Sequence, residues 1–167
     1  MNDRAGLDAL PGDTKSAAIV RRANASDVLS VCRIECACFG WGRLLFGLWP
    51  RVISHTTLSL VAEADGKVVG YLIAYPRKLR AEDATYVAGI GVNTAMRRHG
   101  FGTQLMQAVL AAGFPVWLHV RAGNSPAIEM YQRLQMHELR RLTRFYANGD
   151  DALVFVNDDL RQAVASL

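Results

Sequence analysis

The chain has 167 residues, a formal net charge of +4, 51% hydrophobic and 20% charged residues. That balance suits one globular domain with one sizeable core and excludes a disordered chain. The positive excess is modest and comes in no long block, only in pairs such as Arg21-Arg22, Arg97-Arg98 and Arg140-Arg141. It suits an anionic small ligand at least as well as nucleic acid.

Residues 1–17 mix Asp, Arg, Gly and Pro and read as a flexible tail without an apolar signal core. Ala18 to Arg22 predicts a short edge strand. Asn24-Ala25-Ser26-Asp27 supplies N-cap chemistry for a helix to about Cys36, with Glu35 at its solvent-facing position. Cys32, Cys36 and Cys38 are an odd set, which fits no closed disulfide framework and favours a reducing, cytoplasmic setting. Cys32 and Cys36 are spaced to share a helix face. A metal site would need further ligands, and the nearest histidine is His55, so they read as small packed thiols and no metal is expected. Phe39-Gly40-Trp41-Gly42 reads as a loop. Leu44 to Ser54 reads as a helix broken at Pro50, too short to cross a bilayer.

Thr57–Ala64 and Lys67–Tyr75 are β-rich runs joined by Asp65-Gly66, a hairpin signal. Ala84–Val92 is a further strand. Gly100–Ala112 is a helix whose face is Phe101, Leu105, Ala108, Val109 and Ala112. Val116–Arg121 is a strand, and Ser125 caps a helix that has Pro126 at its first position and runs to about Leu134. His137–Tyr146 and Ala152–Val156 form a closing strand pair around Asn148-Gly149-Asp150. The order predicts an α/β fold: a mixed, mostly antiparallel sheet flanked by helices, with one parallel junction between Ala84 and Arg121. The domain spans 18–157, and 158–167 reads as a C-terminal tail.

Arg97-Arg98-His99-Gly100-Phe101-Gly102-Thr103 lies between a strand and a helix. Gly100 and Gly102 leave room for backbone N–H groups to approach a ligand, and the following helix points unpaired amides at the same place. Arg97 and Arg98 can steer an anion. Such a loop suits a phosphate or pyrophosphate, or else is a plain turn with solvated arginines. The phosphate-loop and dinucleotide glycine motifs are both absent; Gly89-Ile90-Gly91 is followed by Thr94 where a third glycine would stand.

Ile90-Gly91-Val92 followed by Arg97 to Gly102 resembles the R/Q-x-x-G-x-G/A motif of the GNAT N-acetyltransferases. Leu118-His119-Val120-Arg121, Asn124 and Ala127 to Tyr131 resemble the strand and helix that follow in that family. Arg144-Phe145-Tyr146 through Asp151-Ala152 resembles the YYxDGEDA ending of N-terminal acetyltransferases. These include the RimI-type ribosomal-protein alanine acetyltransferases and the catalytic subunits of larger complexes. The resemblance covers about residues 18–157. It implies the GNAT acyl-CoA fold, acetyl-CoA as cosubstrate, and a protein or peptide N-terminus as acceptor, with a ribosomal protein among the implied acceptors. No nucleic acid or membrane is implied.

By the same resemblance, Ile90, Gly91 and Val92 offer backbone groups to the pantetheine arm, with the Val92 N–H as oxyanion donor. Arg97, Arg98, His99, Gly100, Phe101, Gly102 and Thr103 surround the pyrophosphate, and Asn124 reaches CoA. Tyr131 protonates the departing thiolate; from spacing alone it reads equally as a core residue in a stripe with Ala127 and Leu134. Phe39, Trp41 and Tyr146 are implied at the acceptor. His119 stands where the RimI type has glutamate. With an ordinary pKa near 6.5 it is either the base or a structural histidine of the sheet. Gln135 replaces the usual helix-closing glycine and predicts a strained turn. A small-molecule amine or lysine acceptor, and a non-catalytic acyl-CoA-binding module, are the alternative readings.

Overall fold

The computed structural model describes residues 19–40 and 58–165. The predicted Leu44–Ser54 helix and Trp41 lie outside the described residues. One sheet runs β1 (Ile19–Arg22), β2 (Leu58–Ala64), β3 (Lys67–Pro76), β4 (Thr85–Val92), β5 (Val116–Arg121), β7 (Ala152–Val156), β6 (His137–Leu142) in spatial order. Every neighbouring pair is antiparallel except β4 and β5. The Asp65-Gly66 turn has φ of 50° and 70°, the positive values that a two-residue hairpin connection requires.

Helices α2 (Phe101–Leu110) and α3 (Ser125–Arg133) cover one face, and α1 (Val28–Phe39) and α4 (Asp158–Ala165) serve the other. Under α2 and α3 the core contains Phe101, Leu105, Met106, Val109, Leu118, Tyr131 and Phe155. Strand alternation puts Leu118 and Val120 there and sends Trp117 to the opposite face, beneath Leu160 and Val164.

Several expectations from the sequence are corrected. Glu35 is fully buried, not solvent-facing, because α1 turns its Val28, Val31, Ile34, Glu35 stripe inward. α1 runs on to Phe39, so Phe39 ends a helix, and Gly40 with φ 77° closes it. In α2 the inward face is Phe101, Leu105, Met106 and Val109, whereas Ala108 and Ala112 are exposed and the helix stops at Leu110. The cap of α3 is Asn124, whose Oδ1 accepts from the Ala127 N–H, which moves Ser125 and Pro126 inside the helix. Strand β6 ends at Leu142, since Arg144 turns the chain at φ 51°. The expected C-terminal tail is α4 from Asp158, anchored by the buried Leu160 and Val164. Gln135 does adopt the left-handed conformation, at φ 58°.

Candidate active site

Strands β4 and β5 pair only at Thr85–Val116, Tyr86–Trp117 and Val87–Leu118. β4 then continues to Val92 and β5 to Arg121 without further pairing to each other. β5 meanwhile stays paired with β7 as far as Arg121–Ala152. The two parallel strands therefore splay. A bulge helps: Ile73 pairs with Gly89 and Ala74 with Val87, leaving Ala88 as the extra residue.

The splay frees specific backbone groups. The Asn93 N–H donates to the Val69 carbonyl at 2.8 Å, which makes Gly70 and Val92 a non-hydrogen-bonded pair. The N–H and C=O of Val92 thus turn away from β3, toward the gap. Alternation gives Ile90 the same orientation and ties the backbone of Gly91 to β3. Gly91 is glycine for packing: a Cβ there would sit 2.6 Å from the buried Tyr71 ring.

The loop at the mouth divides its work. Arg97 is exposed, its Nε donating to the Val92 carbonyl at 3.4 Å and a second nitrogen meeting Cys38 Sγ at 3.4 Å. Arg98 is exposed with φ 66°, and His99 Nδ1 meets the Arg97 carbonyl at 2.9 Å. Gly100 takes φ 84° at the start of α2 and has no side chain to cap it. The first amides of that helix, from Phe101, Gly102 and Thr103, point toward the loop without an earlier turn to bond. Gly102 is not an open cradle: a Cβ there would meet Met130 Sδ at 3.2 Å, so its smallness brings α2 close to α3. The Phe101 ring is in the core and away from the loop surface. Asn124 uses its side-chain oxygen on its own helix.

Tyr131 lies in the core on the α2–α3 face of the sheet, 4% exposed, with its ring 5.9 Å from that of Phe155. Burial pushes its hydroxyl above the ordinary tyrosine range, with Tyr146 adding to the effect. It is a core residue, as its spacing allowed.

His119 lies on the opposite face. Its Nδ1 is 3.0 Å from Tyr86 Oη, and its ring packs on Trp117 at 5.2 Å and Phe145 at 4.5 Å. Burial, then the charges of Arg77 and Arg140, lower its pKa to about 4. The imidazole is therefore neutral at pH 7. Tyr146 stacks under the Arg121 guanidinium at 4.0 Å and packs edge-on to Phe145 at 5.2 Å. Arg121 is itself bound by Asp150 and by Asn148 Oδ1 at 3.0 Å. Phe39 is 43% exposed at the end of α1. Tyr86, Phe145, Arg77 and Arg140 join the surroundings of His119 without having been singled out as site residues. Only strand register could have exposed Tyr86, and one chain does not print that register.

A mixed sheet split at its parallel junction, with a helix N-terminus and a glycine loop at the mouth, defines an acyl-CoA-dependent acyltransferase fold. Residues 28–136 match the family model described as Acetyltransferase (GNAT) family, and the chain belongs to that family. It is an acetyl-CoA-dependent N-acetyltransferase. The N-alpha-acetyltransferase of Sulfurisphaera tokodaii is 32% identical over 80% of this chain and 88% of its own. The structure of Arabidopsis thaliana NAA60 in complex with a bisubstrate analogue shares 25% identity at a TM-score of 0.71, covering 84% of this chain and 97% of that one. The ribosomal-protein-S18-alanine N-acetyltransferase of Escherichia coli shares the fold, at 22% identity and a TM-score of 0.71 over 84% of this chain and 93% of its own.

Proposed function

We propose that the chain acetylates the α-amino group of a protein or peptide N-terminus by direct attack on acetyl-CoA in a ternary complex. The observation that carries this reading is the gap between β4 and β5. The Val92 N–H turns toward it, with the Tyr131 core on the helix face of the sheet and the Tyr86–His119 pair on the other face. The names of the relatives support an α-amine over a lysine. So does chemistry: an α-amine of pKa near 8 is partly neutral at pH 7.5, whereas lysine near 10.4 is almost wholly protonated. A ribosomal protein is one acceptor of this kind, and the odd cysteine count supports a cytoplasmic setting.

In this reading acetyl-CoA lies along the α2–α3 side, its pyrophosphate at the loop 97–103 and its thioester at the gap. The neutral amine approaches from the His119 side. Its nitrogen attacks the thioester carbon, the oxyanion takes the Val92 N–H, and the C–S bond breaks. The magnitudes decide the two side-chain roles. With a pKa of about 4, His119 is a poor resting place for a proton from an amine near 8. It orients the amine or a water through Nε2 when Nδ1–H donates to Tyr86, and the proton passes on to solvent. Tyr131 is likewise a weaker acid than a thiol of pKa near 8.5. It donates a hydrogen bond to the developing thiolate, and solvent completes the protonation.

The test is acetyl-CoA turnover on peptides beginning with Ser or Ala, an Nα-blocked lysine peptide and a polyamine. Turnover confined to the free N-termini is expected. Acetylation of only the lysine peptide or polyamine overturns the N-terminal reading and leaves acetyl transfer standing. Binding of acetyl-CoA without any turnover returns the chain to a binding module.

A further inference from the structure

Several cations lie on the strands and loops around the gap, and they are not equivalent. Arg121 is held by Asp150 and Asn148, and Arg141 by Asp151 at 2.8 Å. Lys78 is paired with Asp83 at 3.0 Å. Arg77 and Arg140 are exposed, and neither has a carboxylate partner among the described residues. Asp83, Asp150 and Asp151 are thus engaged by other cations, and Arg77 and Arg140 are left outside these pairs.

Their placement brackets His119. The Arg77 guanidinium lies 4.9 Å from the centre of the Tyr86 ring and 5.3 Å from that of Trp117. Both rings touch His119. The backbone carbonyl of Arg77 accepts from Trp117 Nε1 at 3.0 Å, which fixes the start of this side chain against the platform. On the other side, His119 pairs with Val154 and Val154 with Arg140, so the three share one row and one face of the sheet. Two strand spacings put Arg140 at ~10 Å from His119. An extended acceptor advances about 3.5 Å per residue, so its second and third side chains fall within that span of the amine.

We infer that Arg77 and Arg140 form a two-arginine rim that selects acceptors carrying an acidic side chain at the second or third residue, an inference that rests on the N-terminal reading above. The occupant must be an anion of side-chain reach, because the rim is set back from the gap. An Asp or Glu brings a carboxylate that guanidinium can grip with paired hydrogen bonds, while a Lys or Arg meets repulsion.

The experiment compares kcat/KM on peptides of one sequence that starts with Ser, with Glu, Gln or Lys at positions two and three. It uses wild type, Arg77→Gln, Arg140→Gln and the double variant. Because each ratio is taken within one enzyme preparation, the folded fraction cancels. Wild type is expected to prefer Glu over Gln by about fivefold, carried mainly in KM, the order expected for two exposed charge pairs. The preference should weaken in 0.5 M salt and fall to within about twofold in the double variant. Arg140→Glu should turn it toward the Lys peptide. Equal rates on the Glu and Gln peptides in wild type, or a preference that survives the double variant, overturn the rim and leave N-terminal acetylation intact. Acetylation limited to lysine or polyamine overturns the N-terminal reading and the rim with it.

Discussion

Tyr86 Oη lies 3.0 Å from His119 Nδ1, a contact between neighbouring strands that meet only through the short parallel register before the splay. It ties one imidazole nitrogen and leaves the other to the acceptor side. The same surroundings that hold the ring also strip it of charge, since burial and two nearby guanidiniums all disfavour the imidazolium.

The pH–rate profile follows from that neutrality. His119 carries a proton only below about pH 4, so it gives no acid limb between pH 5 and 7. Over that range kcat/KM on an N-terminal peptide should rise with slope one, as the amine loses its proton, and level off above about pH 8. His119→Gln should keep the shape and lower the plateau by about tenfold, and Tyr86→Phe should lower it less. A wild-type inflection near pH 6.5 that vanishes in His119→Gln would show instead that the histidine is a titrating base.

Tyr131→Phe keeps the ring in its core position and removes only the hydroxyl. It should lower kcat by about 10- to 100-fold, the loss of one hydrogen bond to a developing charge, with CoA affinity within about twofold of wild type. Unchanged turnover, measured beside CoA binding in a calorimeter, would assign Tyr131 to packing alone.

Gly102 separates packing from charge. Gly102→Ala brings a methyl within 3.2 Å of a flexible methionine sulfur and should cost about 1 kcal/mol of stability, with CoA binding nearly retained. Gly102→Asp adds a negative charge at the first turn of α2 and should weaken CoA binding much more than it lowers the thermal midpoint. Equal CoA affinity in the aspartate variant sinks the pyrophosphate assignment for this loop.

The C-terminal helix is expected to be part of the folded unit. Leu160 is fully buried beside Trp117, Val154 and Val156. Leu160→Ala should therefore cost about 2–5 kcal/mol in urea unfolding. A loss below about 0.5 kcal/mol would mean that α4 is only loosely docked.

The sequence by itself determined the alternation of strands and helices and the Asp65-Gly66 hairpin. These depend on local periodicity and backbone sterics, which a short window of residues carries. It also held the Arg97 to Gly102 motif, because chain-adjacent residues build that loop. Tertiary structure alone decided where side chains from distant segments meet. Glu35 looked polar and is buried, because the rotation of α1 is chosen by what it packs against. The residues 158–165 looked like a tail and form a helix, because Leu160 and Val164 find a sheet face to cover. Gly102 looked like room for a ligand, and a Cβ there would meet Met130 on the neighbouring helix. The gap itself arises where β4 and β5 stop pairing. The neutrality of His119 arises from its burial and from Arg77 and Arg140, which are far from it along the chain. Register and through-space charge are set by the folded whole, which is why neither could be read along the chain.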